Sequence, residues 1–305
     1  MTAFTKPAIP IAAQLQQWID RGLIVSDRER AEHYLWSIGY YRLSAYSLPF
    51  QNGNPDHQFR SGTTFENIRK LYIFDRELRL LVLDAIERIE VAFRSQINNY
   101  MALNYGAHWY LDEAHFIPKY DHKALLAEIE LLGRRSKEVF VKHYRTKYTE
   151  PRLPPSWMVT ELLTCGQLSK VYDSLASFSD LKSIAKGMNT SAELLRSWMQ
   201  AISYIRNTCA HHSRLWNREL GTAPMVPAKP KGNWINMPIT IADPQVDPHK
   251  RIYLLLAILE YLLQAVNPTS TWHERLKLLM DRNPEVSRAH MGMPDDWVDD
   301  PFWRF

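Results

Sequence analysis

From about residue 65 to residue 105 the chain runs through roughly 40 residues without one proline or glycine, until Gly106. Proline and glycine are the strongest punctuators of local structure, so this stretch reads as helix from end to end. At 1.5 Å per residue a single unbroken helix of that size is about 60 Å long, and a bend is expected within it. Thr64 stands where an N-cap belongs. Apolar residues fall on several sides, the pattern of a helix surrounded by others.

The remainder of the chain is consistent with a helical fold. It has 305 residues, 46% apolar and 23% charged, which supports a sizeable core and excludes wholesale disorder. The net charge of +4 permits a polyanionic partner without demanding one. Two cysteines, Cys165 and Cys209, are too few for a disulfide scaffold and point to a reducing compartment. The N-terminus MTAFTKPAIPIAAQ lacks a signal peptide's long apolar core, so a cytoplasmic protein is expected. The apolar run Ile252 to Val266 is shorter than the roughly 20 residues that cross a bilayer and contains Glu260. It reads as a buried core helix, with no membrane partner.

Periodicity places short helices from Pro10 to Leu23 and from Ser26, as N-cap, toward Gly39. The stretch GYYRLSAYSLPF follows, then a polar loop at 51–63. His122 to Tyr148 reads as one helix, Ser156 to Thr164 and Gln167 to Leu175 as two more, and Ser191 caps another. Two β-like runs, near Trp234 to Asn236 and Ile239 to Ile241, suggest a small hairpin; Lys250 to Val266 and Thr271 to Arg282 are the last helices. The expected architecture is mainly α. An N-terminal helical segment (1–63) precedes a helical bundle (64–270), which a C-terminal helix with an acidic and aromatic tail (271–305) follows.

The helix after Ser191 carries the segment RNTCAHHSRLW. On an ideal wheel Leu194, Trp198, Ile202, Ile205, Cys209 and His212 share one arc, the core face. Asn207, His211 and Arg214 lie opposite, with Tyr204 beside them. Arg206 is about 140° from His211 on such a helix, so the two meet only if the helix distorts, if the arginine wraps around it, or if two copies of the helix face each other. His, Arg and Asn suit RNA cleavage: a histidine moves protons near neutral pH, and an arginine offsets charge on a scissile phosphate. The spacing alone fits a solvated polar face as well. Cys209 and His212 have metal-ligand spacing, but no second pair accompanies them, and no metal or other cofactor is expected. A second feature is a basic window, Arg134 to Arg152, with seven Lys and Arg against two Glu.

The segment from Arg206 to His211 resembles the R-N-x-x-x-H signature of HEPN-domain ribonucleases. Three other stretches resemble the Abi-like family, the AbiD/AbiF type of bacterial phage-defence proteins. These are GYYRLSAYSLPF at Gly39–Phe50, FDRELRLLVLDAIERIEVAFRSQI at Phe74–Ile97, and WMVTELLTCGQLSKVY at Trp157–Tyr172, where Thr164, Cys165 and Gly166 replace a Ser-Phe-Gly-like triplet. The likeness extends from about residue 10 to 265. It implies a HEPN-like helical bundle, a homodimer, and a metal-independent endoribonuclease of abortive infection that leaves 2′,3′-cyclic phosphate ends. Carried over residue by residue, Arg206, Asn207 and His211 are its catalytic set, while His212 has no assigned role. RNA is the expected substrate, with Arg42, Lys142, Arg145, Lys147 and Arg214 as its contacts, and a small RNA or a protein antitoxin is a further conceivable partner. The alternative is a non-catalytic RNA-binding regulator using the same basic surface. In GYYRLSAY the tyrosines are suited either to stack bases or to pack the N-terminal helices, with Arg42 paired to an acid such as Glu87 or Glu90.

Overall fold

The proline-free stretch folds as one uninterrupted helix of 41 residues, Phe65–Tyr105. In the computed structural model, which describes residues 3, 5, 7–53, 56–230, 233–236 and 247–304, it is α4 of twelve α-helices. The others are α1 (Ile11–Asp20), α2 (Arg28–Ile38), α3 (Tyr40–Ser47), α5 (His122–Arg135), α6 (Val139–Lys147), α7 (Ser156–Leu162), α8 (Cys165–Asp173), α9 (Phe178–Gly187), α10 (Ala192–Ala210), α11 (Ile252–Val266) and α12 (Trp272–Asp281). Among the described residues there is no strand, only isolated bridges. The fold is mainly α. Of the expected hairpin, the arm at 239–241 lies outside the described residues, and 234–236 is not strand.

The chain divides into two compact units, Met1–Leu78 and Arg79–Phe305. The division falls inside α4, and 271–305 lies in the second unit. In the first unit Asp27, one residue beyond the expected Ser26, caps α2 by accepting from the Arg30 amide at 2.9 Å. Gly39, at φ +93°, turns the chain directly from α2 into α3. Trp18 is buried, with the rings of Tyr40, Phe59 and Phe65 centred 5.0, 6.3 and 6.3 Å away. Tyr46 is buried and donates to Asp75 Oδ2 at 2.6 Å. Tyr40 and Tyr46 of the GYYRLSAY stretch therefore pack inside this unit. Tyr41, 91% exposed, and Arg42 face outward, as does Trp36 of α2.

The second unit is built on α11. Every residue from Ile252 to Leu263 is buried, as expected of a core helix. The tail packs on it: Trp297, Phe302 and Trp303 are buried, and Trp303 Nε1 donates to the Tyr253 hydroxyl at 3.2 Å. Trp272 of α12 donates to the Leu81 carbonyl of α4 at 2.8 Å.

Three local readings change. The expected helix His122–Tyr148 is two, α5 and α6. Ser136 leaves the helical conformation at ψ 134°, and its hydroxyl accepts from the Glu138 amide at 3.2 Å. Such local side-chain bonds compete with the helix, and Gly133 in its last turn weakens it further. Thr164, read as the last residue of one helix, instead begins the next: it forms a capping box with Gln167 at the head of α8. The helix α9, capped by Ser177, was not anticipated.

Candidate active site

Helix α10 begins where Ser191 accepts from the Leu194 amide at 3.3 Å. Its inward stripe of Leu195, Trp198, Met199, Ile202, Ile205 and Cys209 is buried, while Gln200, Tyr204 and Asn207 are exposed. Burying such a stripe contributes on the order of 1.5–3 kcal/mol per large side chain, so the helix is a firm platform. Its closest partner is α8. Gly166 makes this approach possible, because a Cβ there would stand 2.9 Å from the Ser203 hydroxyl.

The helix ends at Ala210, earlier than the wheel assumes. His211 is the C-cap, its amide donating to the Asn207 carbonyl at 2.9 Å, and His212 takes the left-handed conformation at φ +56°. Beyond Ala210 the wheel no longer applies. His212 is therefore exposed, not on the core face. The chain then returns to the interior with Leu215 and Trp216.

Within this last turn the structure brings Arg206 and Asn207 together: Arg206 Nη1 donates to Asn207 Oδ1 at 3.3 Å. The charge of the half-buried Arg206 also reaches Cys165 of α8. Burial pushes the Cys165 thiol up to about 12, Glu90 pushes the same way, and the charges of Arg206 and Arg94 act against both. Glu90 and Arg94 form an ion pair at 2.8 Å on α4, and Arg94 also donates to the Leu163 carbonyl at 3.1 Å. Glu90, Arg94 and Cys165 thus form an electrostatic cluster within reach of the charge of Arg206. The i, i+4 relation of Glu90 and Arg94 was the available signal.

His211 is exposed, and among the described residues no hydrogen bond joins its imidazole to Arg206. Arg214 lies beyond the helix, half-buried, its carbonyl accepting from Arg218 Nε at 2.8 Å. Arg218, also not singled out from sequence, donates to the Tyr204 hydroxyl at 2.9 Å and lies over its ring. An open groove of about 280 Å³ runs beside Tyr204, floored by Ser197 and Gln200. Lys142, Arg145 and Lys147 are exposed on α6, and Arg42 is exposed in the first unit. Among the described residues no group of three or more His, Cys, Asp or Glu is placed to hold a metal ion.

The sequence profile of the Abi-like protein family matches residues 33–217. The chain belongs to this family. The match starts in α2, runs through α4 and α8 and ends just after the last turn of α10, a shorter span than the expected residues 10 to 265. Membership associates the chain with abortive infection, a phage-defence response. No curated protein and no solved structure matches the chain. Among the described residues no helix is long and apolar enough to cross a membrane.

Proposed function

We propose that this Abi-like protein is a metal-independent endoribonuclease of the HEPN class, with Arg206, Asn207 and His211 as its catalytic set. The observation that carries the reading is the end of α10. There a buried stripe holds one polar turn rigidly, Arg206 and Asn207 are hydrogen-bonded, and the imidazole of His211 stands in solvent where the helix stops. His211 takes the proton of a ribose 2′-hydroxyl. The 2′ oxygen attacks the adjacent phosphorus, the bond to the 5′ oxygen breaks, and that oxygen leaves with a proton from solvent. Arg206 offsets the charge gathering on the phosphoryl oxygens, and Asn207 fixes the guanidinium. A homodimer places two such turns around one RNA strand and accounts for the lack of an Arg206–His211 bond within a chain.

The test is cleavage of labelled RNA with analysis of the ends. Products with 2′,3′-cyclic phosphate and 5′-hydroxyl ends, formed equally in EDTA, are expected. Binding without cleavage by the wild type would instead identify a non-catalytic RNA-binding regulator, the reading that the exposed basic helix α6 favours.

A further inference from the structure

Helices α5 and α6 and the segment 148–154 enclose a cleft of about 360 Å³, away from the helix end described above in sequence and in its lining residues. Arg134, Arg145, Arg152 and Tyr148 line it together with one acid, Glu130. Glu130 accepts from Arg134 at 2.5 Å and also pairs with Arg152. Two guanidinium groups share one carboxylate, and among the described residues no carboxylate pairs with Arg145. The side chain of Arg145 crosses to α5, where a Cβ on Gly133 would stand 3.4 Å from its Nη2.

Surface arginines usually relieve their repulsion by moving apart. Here the backbone carrying them is pinned by groups outside the cluster. Tyr144 donates to the Pro151 carbonyl at 2.7 Å, Tyr110 donates to that of Pro154 at 2.6 Å, and the Ser156 amide donates to Ala107 at 2.8 Å. Arg152 thus sits on a fixed strap facing Arg145. An arrangement of three arginines against one carboxylate, held by anchors of its own, keeps excess positive charge in a concave site. Planar guanidinium forks match the oxygens of a phosphate.

We propose that this cleft binds a phosphate group, with Arg145 as its principal contact and Arg134 and Arg152, balanced by Glu130, beside it. The cleft goes beyond the assignment of α6 as a generally basic face: Lys142 and Lys147 are not in its lining. The phosphate belongs either to an RNA chain or to a free nucleotide.

The experiment is titration of the His211→Ala protein, which leaves RNA intact, with a fluorescent 5′-hydroxyl oligoribonucleotide and, separately, with 5′-AMP. Arg145→Met is expected to weaken binding about tenfold or more, the value of one charge-assisted contact. Lys123→Met removes the same charge from the exposed side of α5, outside the cleft, and is expected to change affinity less than about threefold. Circular dichroism and melting curves establish that both variants are folded. A loss confined to the oligonucleotide identifies an RNA phosphate, and a loss confined to AMP identifies a nucleotide. If neither ligand binds, or if Arg145→Met and Lys123→Met weaken binding equally, the cleft is no phosphate site. Because binding is read in a cleavage-dead protein, this result stands or falls separately from the nuclease reading.

Discussion

Helices α10 and α11 both belong to the second unit and both carry ionisable groups, yet the groups have opposite circumstances. In α11 the only charged residue, Glu260, has no solvent exposure. It is held by Gln264 at 3.1 Å, His273 at 3.2 Å and Arg304 at 3.3 Å. In α10 Arg206, Asn207 and His211 gather at the last turn, where the helix meets water. A charge buried on all sides must be satisfied by the protein itself and leaves no room for a ligand. A polar turn on a well-buried helix costs the fold little and leaves its groups available. Burial thus separates a charge that serves the structure from one that can serve chemistry.

The sharpest way to break that contrast is to remove His211. His211→Ala is expected to lower the RNA cleavage rate by about two to four orders of magnitude, the usual value of a general acid or base, while the melting temperature stays within a degree or two. Arg206→Ala is expected to lose about two to three orders and also to shift stability slightly, since its charge acts on the buried Cys165. Retained cleavage in His211→Ala would make the last turn of α10 only a solvated helix end.

The platform beneath that turn can be tested next. Gly166→Ala is expected to cost about 1–3 kcal/mol, as overpacking does, because the new methyl meets the Ser203 hydroxyl. Ser203→Ala alone should be nearly silent. The double variant should recover most of the loss, which denaturant unfolding of the four proteins would show. An additive double variant would mean that the methyl strains something other than Ser203.

How much of this was legible in the sequence follows the same division. The body of α10 was readable because its stripe is periodic and Ser191 caps it. Glu260 was readable as a buried acid because the run around it is apolar on every side. The end of α10 was not. Helices commonly stop at a glycine in the left-handed conformation, and here His212 occupies that position with no glycine to announce it. The α5–α6 break is of another kind: Gly133 in the last turn of α5 was a signal, and Ser136 ends the helix in an extended conformation with a local hydrogen bond. The cluster of Glu90, Arg94 and Cys165 joins α4 to α8, and only the pairing of Glu90 with Arg94 is encoded locally, by its i, i+4 spacing. The alternation of packed and exposed tyrosines in GYYRLSAY depends on the turn at Gly39.

For Glu260 the contrast predicts a pH effect. Burial is the largest influence and raises its pKa above the ordinary carboxylate value, against the opposing pull of Gln264, His273 and Arg304. The folded protein therefore holds this proton more tightly than the unfolded chain. The associated stability is present below the unfolded pKa, near 4.5, and is lost as pH rises through the folded value. Glu260→Gln keeps the shape and removes the titration. Its unfolding midpoint relative to wild type is expected to improve from acid pH toward neutrality. A difference that is constant with pH would show that folding leaves the pKa of Glu260 unchanged.

The smallest effect concerns the residue next to the proposed base. Were His212 on the core face of α10, its replacement by glycine would open a cavity and cost about 2 kcal/mol or more. The structure instead exposes it at φ +56°, a conformation that strains side chains with a Cβ and that glycine adopts freely. His212→Gly is therefore expected to be neutral or to stabilise by up to about 1 kcal/mol, the relief of strain exceeding the added freedom of the unfolded chain. Cleavage should persist, since His211 keeps its place as C-cap through its own amide bond to Asn207. Chemical denaturation with a parallel RNA assay distinguishes the outcomes. A large loss of stability would return His212 to the core face. A loss of cleavage at unchanged stability would move the catalytic histidine one residue along the chain.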